Sequence, residues 1–108
     1  MPNRKYARHA LLGVATPQSN PVVEAEFSAL RPDGVGMLTT RLTGMAEDPK
    51  TRFHQFLEHL DASVSAFGKA RLDAFGFACT ATAYLFGNDE SEALAAASDR
   101  LGAPAISS

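Results

Sequence analysis

The sequence has no tryptophan and one cysteine, Cys79, in 108 residues. A single cysteine excludes an intramolecular disulfide, so the chain reads as a protein of a reducing, cytoplasmic compartment rather than a disulfide-stapled secreted domain. An excess of charge of either sign is lacking too. Ten Lys+Arg against twelve Asp+Glu leave a net charge of -2. Without a basic field, nucleic acid is not an expected partner, and Arg4, Lys5 and Arg8 read as a solvated basic end. No apolar run approaches the ~18 residues of a membrane-spanning helix. The run at residues 10–15 is also too short for a secretory signal.

Several motifs are missing as well. Gly13-Val-Ala-Thr-Pro17 stands where a dinucleotide site would need Gly-x-Gly-x-x-Gly, and there is no phosphate-binding Gly-x-x-x-x-Gly-Lys-Ser/Thr loop. Cys-x-x-Cys is impossible with one cysteine. A small tyrosine phosphatase needs an arginine six residues after its cysteine, where Leu85 stands. A receiver domain needs an aspartate at the end of the third strand, where Cys79 stands. His54 and His59 are five apart and do not share a helix face as an i, i+4 metal pair would. They read as solvated or partly buried helix residues, and His9 as a surface residue. No Cys/His/acid cluster has metal-ligand spacing.

What is present is an ordinary globular composition, 45% hydrophobic and 20% charged, enough for one domain with its own core. Residues 10–15 form a continuous apolar run of the kind buried on both faces of a parallel sheet. Asn20-Pro21 has the form of a helix start, cap followed by proline, and predicts a helix over 21–30. Residues 35–42 predict a second strand. Asp48-Pro49 repeats the cap signature. Phe53, Phe56, Leu57, Leu60, Val64 and Phe67 then recur at helical period, predicting one long helix over 49–68 that Gly68 ends. Residues 72–79 read as a third strand, 80–87 as a turn region, 88–101 as a third helix and 105–108 as a fourth strand. The order β-α-β-α-β-α-β argues for an α/β fold of three layers around a mostly parallel four-stranded sheet. In such sheets the ligand site lies beyond the carboxyl ends of the strands, here residues 16–20, 40–43 and 79–82.

Cys79 falls at one of these ends. If a helical turn starts after it, the free backbone N–H groups face the sulfur, lower its pKa and make the thiolate a nucleophile or proton carrier. The competing reading is a small buried hydrophobe. The amides of Thr80, Ala81 and Thr82 suit a carboxylate or other oxyanion, or are plain turn chemistry. Asn20, next to Ser19, either offers its amide to a bound carboxylate or caps the first helix. Tyr84 either offers a phenol near the site or packs under a loop.

The pattern resembles the Asp/Glu racemase superfamily, in its maleate isomerase and arylmalonate decarboxylase branch. The residues that carry the resemblance are Thr16-Pro-Gln-Ser-Asn-Pro-Val-Val-Glu24, Arg31-Pro-Asp-Gly-Val35, Phe77-Ala-Cys-Thr-Ala-Thr-Ala-Tyr-Leu-Phe-Gly87 and Leu101-Gly-Ala-Pro-Ala-Ile-Ser-Ser108. The resemblance spans the chain from about Arg8 onward. It implies a flavodoxin-like half of a two-lobed enzyme that uses no metal or organic cofactor, with the active site between the lobes. Cys79 matches the cysteine that adds to the substrate double bond in maleate isomerases, and Asn20 the asparagine that binds a substrate carboxylate. Thr80 matches a threonine that holds the enediolate in the decarboxylases, whereas Ala81 replaces their serine. Retention of Cys79 favours isomerase or racemase chemistry over decarboxylation.

The resemblance thus implies a cofactor-independent isomerase of a small dicarboxylic acid, with Cys79 as nucleophile and Ser19, Asn20 and Thr80 to Thr82 binding carboxylate. The alternatives are an arylmalonate decarboxylase-like enzyme, an amino-acid racemase, or an inactive fragment or carboxylate-binding module. Residues 1–108 correspond to the amino-terminal lobe, ending after the fourth strand. The family's second lobe, with its own cysteine, is the expected partner, and the chain alone is expected to be inactive. Homo-oligomerisation is left open.

Overall fold

The computed structural model describes residues 7–107. The basic Arg4 and Lys5, and Ser108 at the end of the expected fourth strand, lie outside the described residues. The elements run β1 (Ala10–Pro17), α1 (Val22–Leu30), β2 (Val35–Leu42), α2 (Pro49–Glu58), α3 (Leu60–Ser65), β3 (Ala74–Phe77), α4 (Thr80–Leu101) and β4 (Ala105–Ser107). The four strands form one parallel sheet in the order β2-β1-β3-β4, the flavodoxin-like arrangement.

Strand alternation assigns the helices to faces. On β2, Thr39 and Arg41 reach Glu24 of α1, whereas the intervening Thr40 donates to the Ser63 carbonyl of α3 at 2.7 Å. Helices therefore cover both faces, giving three layers. The core lies on the α2–α3–α4 side. Ala15, Leu42, Phe75 and Phe77 of the sheet meet Phe56, Leu57, Leu60, Val64 and Phe67 there, with Leu94 and Ala97 of α4. The helix on the opposite face, α1, buries no residue. The Arg41–Glu24 ion pair and the Thr39 hydroxyl hold it to β2.

The second strand has the bounds expected for it, and the apolar stripe faces the core. The long helix over 49–68 does not form as one piece. It breaks at His59, whose backbone (φ -94°, ψ 4°) leaves the helical region. The cause is tertiary. Thr40 donates to the Ser63 carbonyl and the Ser63 hydroxyl donates to the Arg41 carbonyl, both at 2.7 Å, so α3 is drawn onto β2. His59 Nδ1 meets the Thr43 carbonyl at 2.8 Å. Spacings of three and four persist through a one-residue kink, so hydrophobic periodicity does not register it. Gly68, at φ +62°, ends the segment as its freedom in the left-handed region allows.

Two other expectations need correction. The third strand is Ala74–Phe77, shorter than 72–79. At its start the Asp73 carboxylate accepts from the Leu11 N–H at 2.7 Å, and its own N–H donates to the Leu11 carbonyl. A side chain thus stands in for the ladder. At its end Cys79 turns into a helix. Residues 80–87, read as a turn, are the start of α4. No Gly or Pro interrupts them before Gly87, so the helix forms and bends only at Phe86 (φ -141°, ψ 42°). The third helix therefore begins at Thr80 instead of 88, in two segments, 80–85 and 87–101.

The Asp48-Pro49 signature does what its chemistry predicts. The Asp48 carboxylate accepts from the Thr51 hydroxyl at 2.8 Å and the Thr51 N–H at 3.0 Å. Those hydrogen bonds favour the charged form and hold its pKa below the ordinary 3.8. A lowered folded-state value contributes stability above pH 3.8 that is lost as pH falls through it. Asp48→Ala should lower the melting midpoint by a few degrees at pH 7, and the gap to wild type should close as the pH drops below 3.8. Thermal melts across that range check it, and a gap that persists in acid would contradict the capping account.

Candidate functional site

In a sheet of this order the strand sequence reverses between β1 and β3. From β1 the chain moves one way to β2, then returns to the other side as β3. The carboxyl ends of these two strands therefore open a crevice, where doubly wound sheets bind ligands. In this chain that position lies between the loop that follows β1, residues 18–21, and Ala78 and Cys79 after β3. The β1–β3 ladder pairs Ala15 with Phe77, and the Ala78 N–H donates to the Ala15 carbonyl at 2.9 Å. Cys79 is the next residue, beside the end of β1.

The 18–21 loop is shaped by its own polar groups. The Asn20 N–H donates to the Pro17 carbonyl at 3.0 Å. Asn20 Oδ1 accepts from Val22 N–H at 2.7 Å and Val23 N–H at 3.4 Å, so the side chain ties down the start of α1, but the N-cap position is Pro21 and the helix begins at Val22, one residue later than the Asn20-Pro21 signature predicts. The Asn20 carbonyl accepts from Arg41 at 3.0 Å. With both oxygens engaged, the amide nitrogen is the group Asn20 has to offer a ligand.

Beside this loop lies a cleft of about 540 Å³, lined by Pro17 to Val22 and by Arg52, Phe53 and Phe56 of α2. Gln18 ties the loop wall to the segment after β2, its amide donating to the Gly44 carbonyl at 2.9 Å and accepting from the Gly44 N–H at 3.2 Å, and Ala46 of that segment is bonded in turn to Arg52 and Gln55 of α2. Arg52 donates to the carbonyls of Ala46 and Glu47, each at 3.3 Å. Its guanidinium carbon lies 5.8 Å from the Phe53 ring centroid, a cation–π arrangement. The cleft thus combines one held cation, small polar groups from Ser19 and Asn20, and two aromatic walls. That combination suits a small carboxylate with an apolar body.

The expected site residues divide. Ser19 and Asn20 line the cleft. Cys79 stands at the neighbouring strand end, but it is 6% exposed, belongs to the core cluster and does not line the cleft. It occupies the N-cap position of α4, so a helix does start after it. Its side chain makes no capping hydrogen bond, so the first-turn amides are not engaged by the sulfur. Thr80 is exposed and Ala81 half-buried. Thr82 is fully buried and its hydroxyl turns inward, donating to the Cys79 carbonyl at 2.9 Å and meeting the Glu90 carboxyl. That hydroxyl braces the turn and does not face solvent. Tyr84 projects into solvent, 87% exposed, so it does not pack under a loop, and it does not line the cleft.

Sequence reasoning passed over Gln18, Arg52, Phe53, Phe56 and Glu90. The two phenylalanines read as core, and Phe56 is indeed core on one side. Arg52 and Phe56 are four apart, hence on one helix face, and that spacing is the signal that pairs a cation with an aromatic wall. Glu90 stood in the Asn88–Ser91 stretch expected to open the third helix, and nothing in that pattern marked it as buried. His54 meets Glu58 at 3.0 Å and packs edge-on against Phe86, joining α2 to the bend in α4. Among the described residues, no helix is long and apolar enough to cross a membrane, and no group of three or more His, Cys, Asp or Glu is placed to hold a metal ion. Compared with protein-family models and with curated proteins, the chain matches none of them.

Proposed function

We propose that this chain is one lobe of a cofactor-independent isomerase of a small dicarboxylic acid, of the maleate cis–trans type, working in the cytoplasm with a second lobe that closes the site. The observation that supports the reading is that the Ser19–Asn20 turn and Cys79 follow the carboxyl ends of the adjacent strands β1 and β3, the turn lining a cleft that also includes Arg52. Arg52, the Asn20 amide nitrogen and the Ser19 hydroxyl bind one carboxylate, and Phe53 and Phe56 cover the carbon skeleton and exclude water. The Cys79 thiolate then adds to one alkene carbon. The C–S bond forms and the π pair moves into the neighbouring carboxylate as an enediolate. Rotation about the new single bond follows. Return of the electron pair re-forms the double bond and expels the thiolate, so no net proton is consumed. Donors aimed at the enediolate oxygens are the largest expected contribution, about 3 kcal/mol each. In the lobe as described the thiol is nearly covered, so attack requires the turn that carries it to open.

A second reading, a carboxylate-binding module without turnover, is favoured by one observation: the cleft residues form a site that leaves Cys79 out. Alkylation of Cys79 by iodoacetamide, followed by mass spectrometry with and without maleate, separates the two. The isomerase reading expects maleate at ten times its Kd to slow labelling about tenfold, and Arg52→Ala to abolish that protection. If maleate shifts the NMR signals of Ser19 and Asn20 while labelling keeps its rate, the binding module stands instead. If maleate does neither, both readings fail.

A further inference from the structure

Glu90 is a buried carboxyl that the proposed chemistry does not use. It is 3% exposed, and its two oxygens meet two hydroxyls, that of Thr82 in the first turn of α4 and that of Ser107 in β4. In a straight α-helix, residues 82 and 90 would stand about 12 Å apart along the axis, beyond the reach of a threonine and a glutamate side chain. They meet because α4 bends at Phe86. The Thr82 hydroxyl also donates to the Cys79 carbonyl at 2.9 Å. A continuous polar chain therefore runs from β4 through Glu90 and Thr82 to the backbone of Cys79.

Apolar packing does little to hold the segment this chain secures. Within residues 80–85 Thr82 alone is buried, Ala81 and Ala83 are half-buried, and Thr80, Tyr84 and Leu85 are exposed. The segment follows Cys79 directly and ends at the bend. The polar contacts that join it to the rest of the chain are those of the Thr82 hydroxyl, set between the Cys79 carbonyl and the Glu90 carboxyl.

We infer that Glu90 is a positioning residue for Cys79: acting through Thr82, it latches residues 80–85 and sets how often the thiol is uncovered. The inference rests on the reading of Cys79 as the reacting group. It assigns Glu90 no contact with substrate. Opening the latch exposes the sulfur at the crevice, and closing it returns the sulfur to the core.

The test is the rate of Cys79 alkylation by iodoacetamide in the folded chain from pH 6 to 9, with a thermal melt of each variant. Thr82→Val, which keeps the shape and removes the hydroxyl, should raise the rate about tenfold, the size expected for losing one buried hydrogen-bonding group. Thr82→Ser should restore the wild-type rate within about twofold. Glu90→Leu replaces the buried carboxyl by an apolar group. It should raise the rate similarly while leaving the melting midpoint within a few degrees, which a purely structural role would not do. Asp48→Ala, which loosens α2, controls for general destabilisation and should leave the rate unchanged. Wild-type rates in Thr82→Val or Glu90→Leu would overturn the inference, as would an equal acceleration in Asp48→Ala. Loss of maleate protection in the wild-type chain, with the latch rates as expected, would overturn the isomerase reading alone.

Discussion

Phe75→Ala is expected to destabilise the fold by about 3–5 kcal/mol, the range for removing a buried phenylalanine ring and leaving a cavity. Phe75 is fully buried in β3, with Gly13 of β1 opposite on one side and Ala105 of β4 on the other. Neither neighbour has bulk to fill the space. Its ring meets that of Phe67 edge-on, centroids 6.0 Å apart, so the substitution also removes an aromatic pair. A domain this size has a total stability of about 5–15 kcal/mol. The variant should therefore be marginal, with a melting midpoint lowered by about 15 °C or more. Urea unfolding reads the change directly. A loss below about 1.5 kcal/mol would mean that the sheet centre repacks, and that the core is not organised around β3. Because Cys79 follows β3 by one residue after Ala78, the same variant should label faster at the thiol.

Gly44→Ala should destabilise the chain by about 1–3 kcal/mol, the usual penalty for overpacking, and should do so at the cleft. A Cβ at Gly44 would lie 2.9 Å from the Arg52 carbonyl and 2.9 Å from Gln55 Oε1. The first is helix backbone and cannot swing aside. The new methyl would push α2 away from the loop after β2, taking Arg52 and Phe53 with it. The Gln18 clasp to the Gly44 backbone would stretch as the walls part. Gln18→Ala alone removes the same clasp, so the two substitutions should be less than additive in a double-mutant cycle. Strict additivity would show that Gly44 matters only for local packing and does not join the walls of the cleft.

Both predictions depend on positions whose role in the sequence is ambiguous. Glycine before Met45 looks like loop punctuation, and only the approach of the Arg52 carbonyl reveals a close contact. Phe53 and Phe56 carry the same period-3 signal whether they face a core or a cleft, because periodicity records which side of a helix is apolar and not what stands opposite. Cys79 was legible as lying at the end of a buried strand, whereas the helix that starts at Thr80 was read as a turn up to residue 87. Whether the Cys79 sulfur looked outward or inward was not legible, since that depends on a bend seven residues further along.

The chain's own residues set the alternation of buried strands and amphipathic helices, the bounds of β2, the Asp48 cap and the Asn20 turn. Each rests on contacts within a few residues, so local chemistry suffices. The breaks at His59 and Phe86, the burial of Glu90 and Cys79, and the pairing of Arg52 with the loop after β1 were decided by the tertiary structure. There, groups far apart in the chain compete for the same hydrogen bonds and the same space, and the outcome follows from which of them the sheet brings within reach.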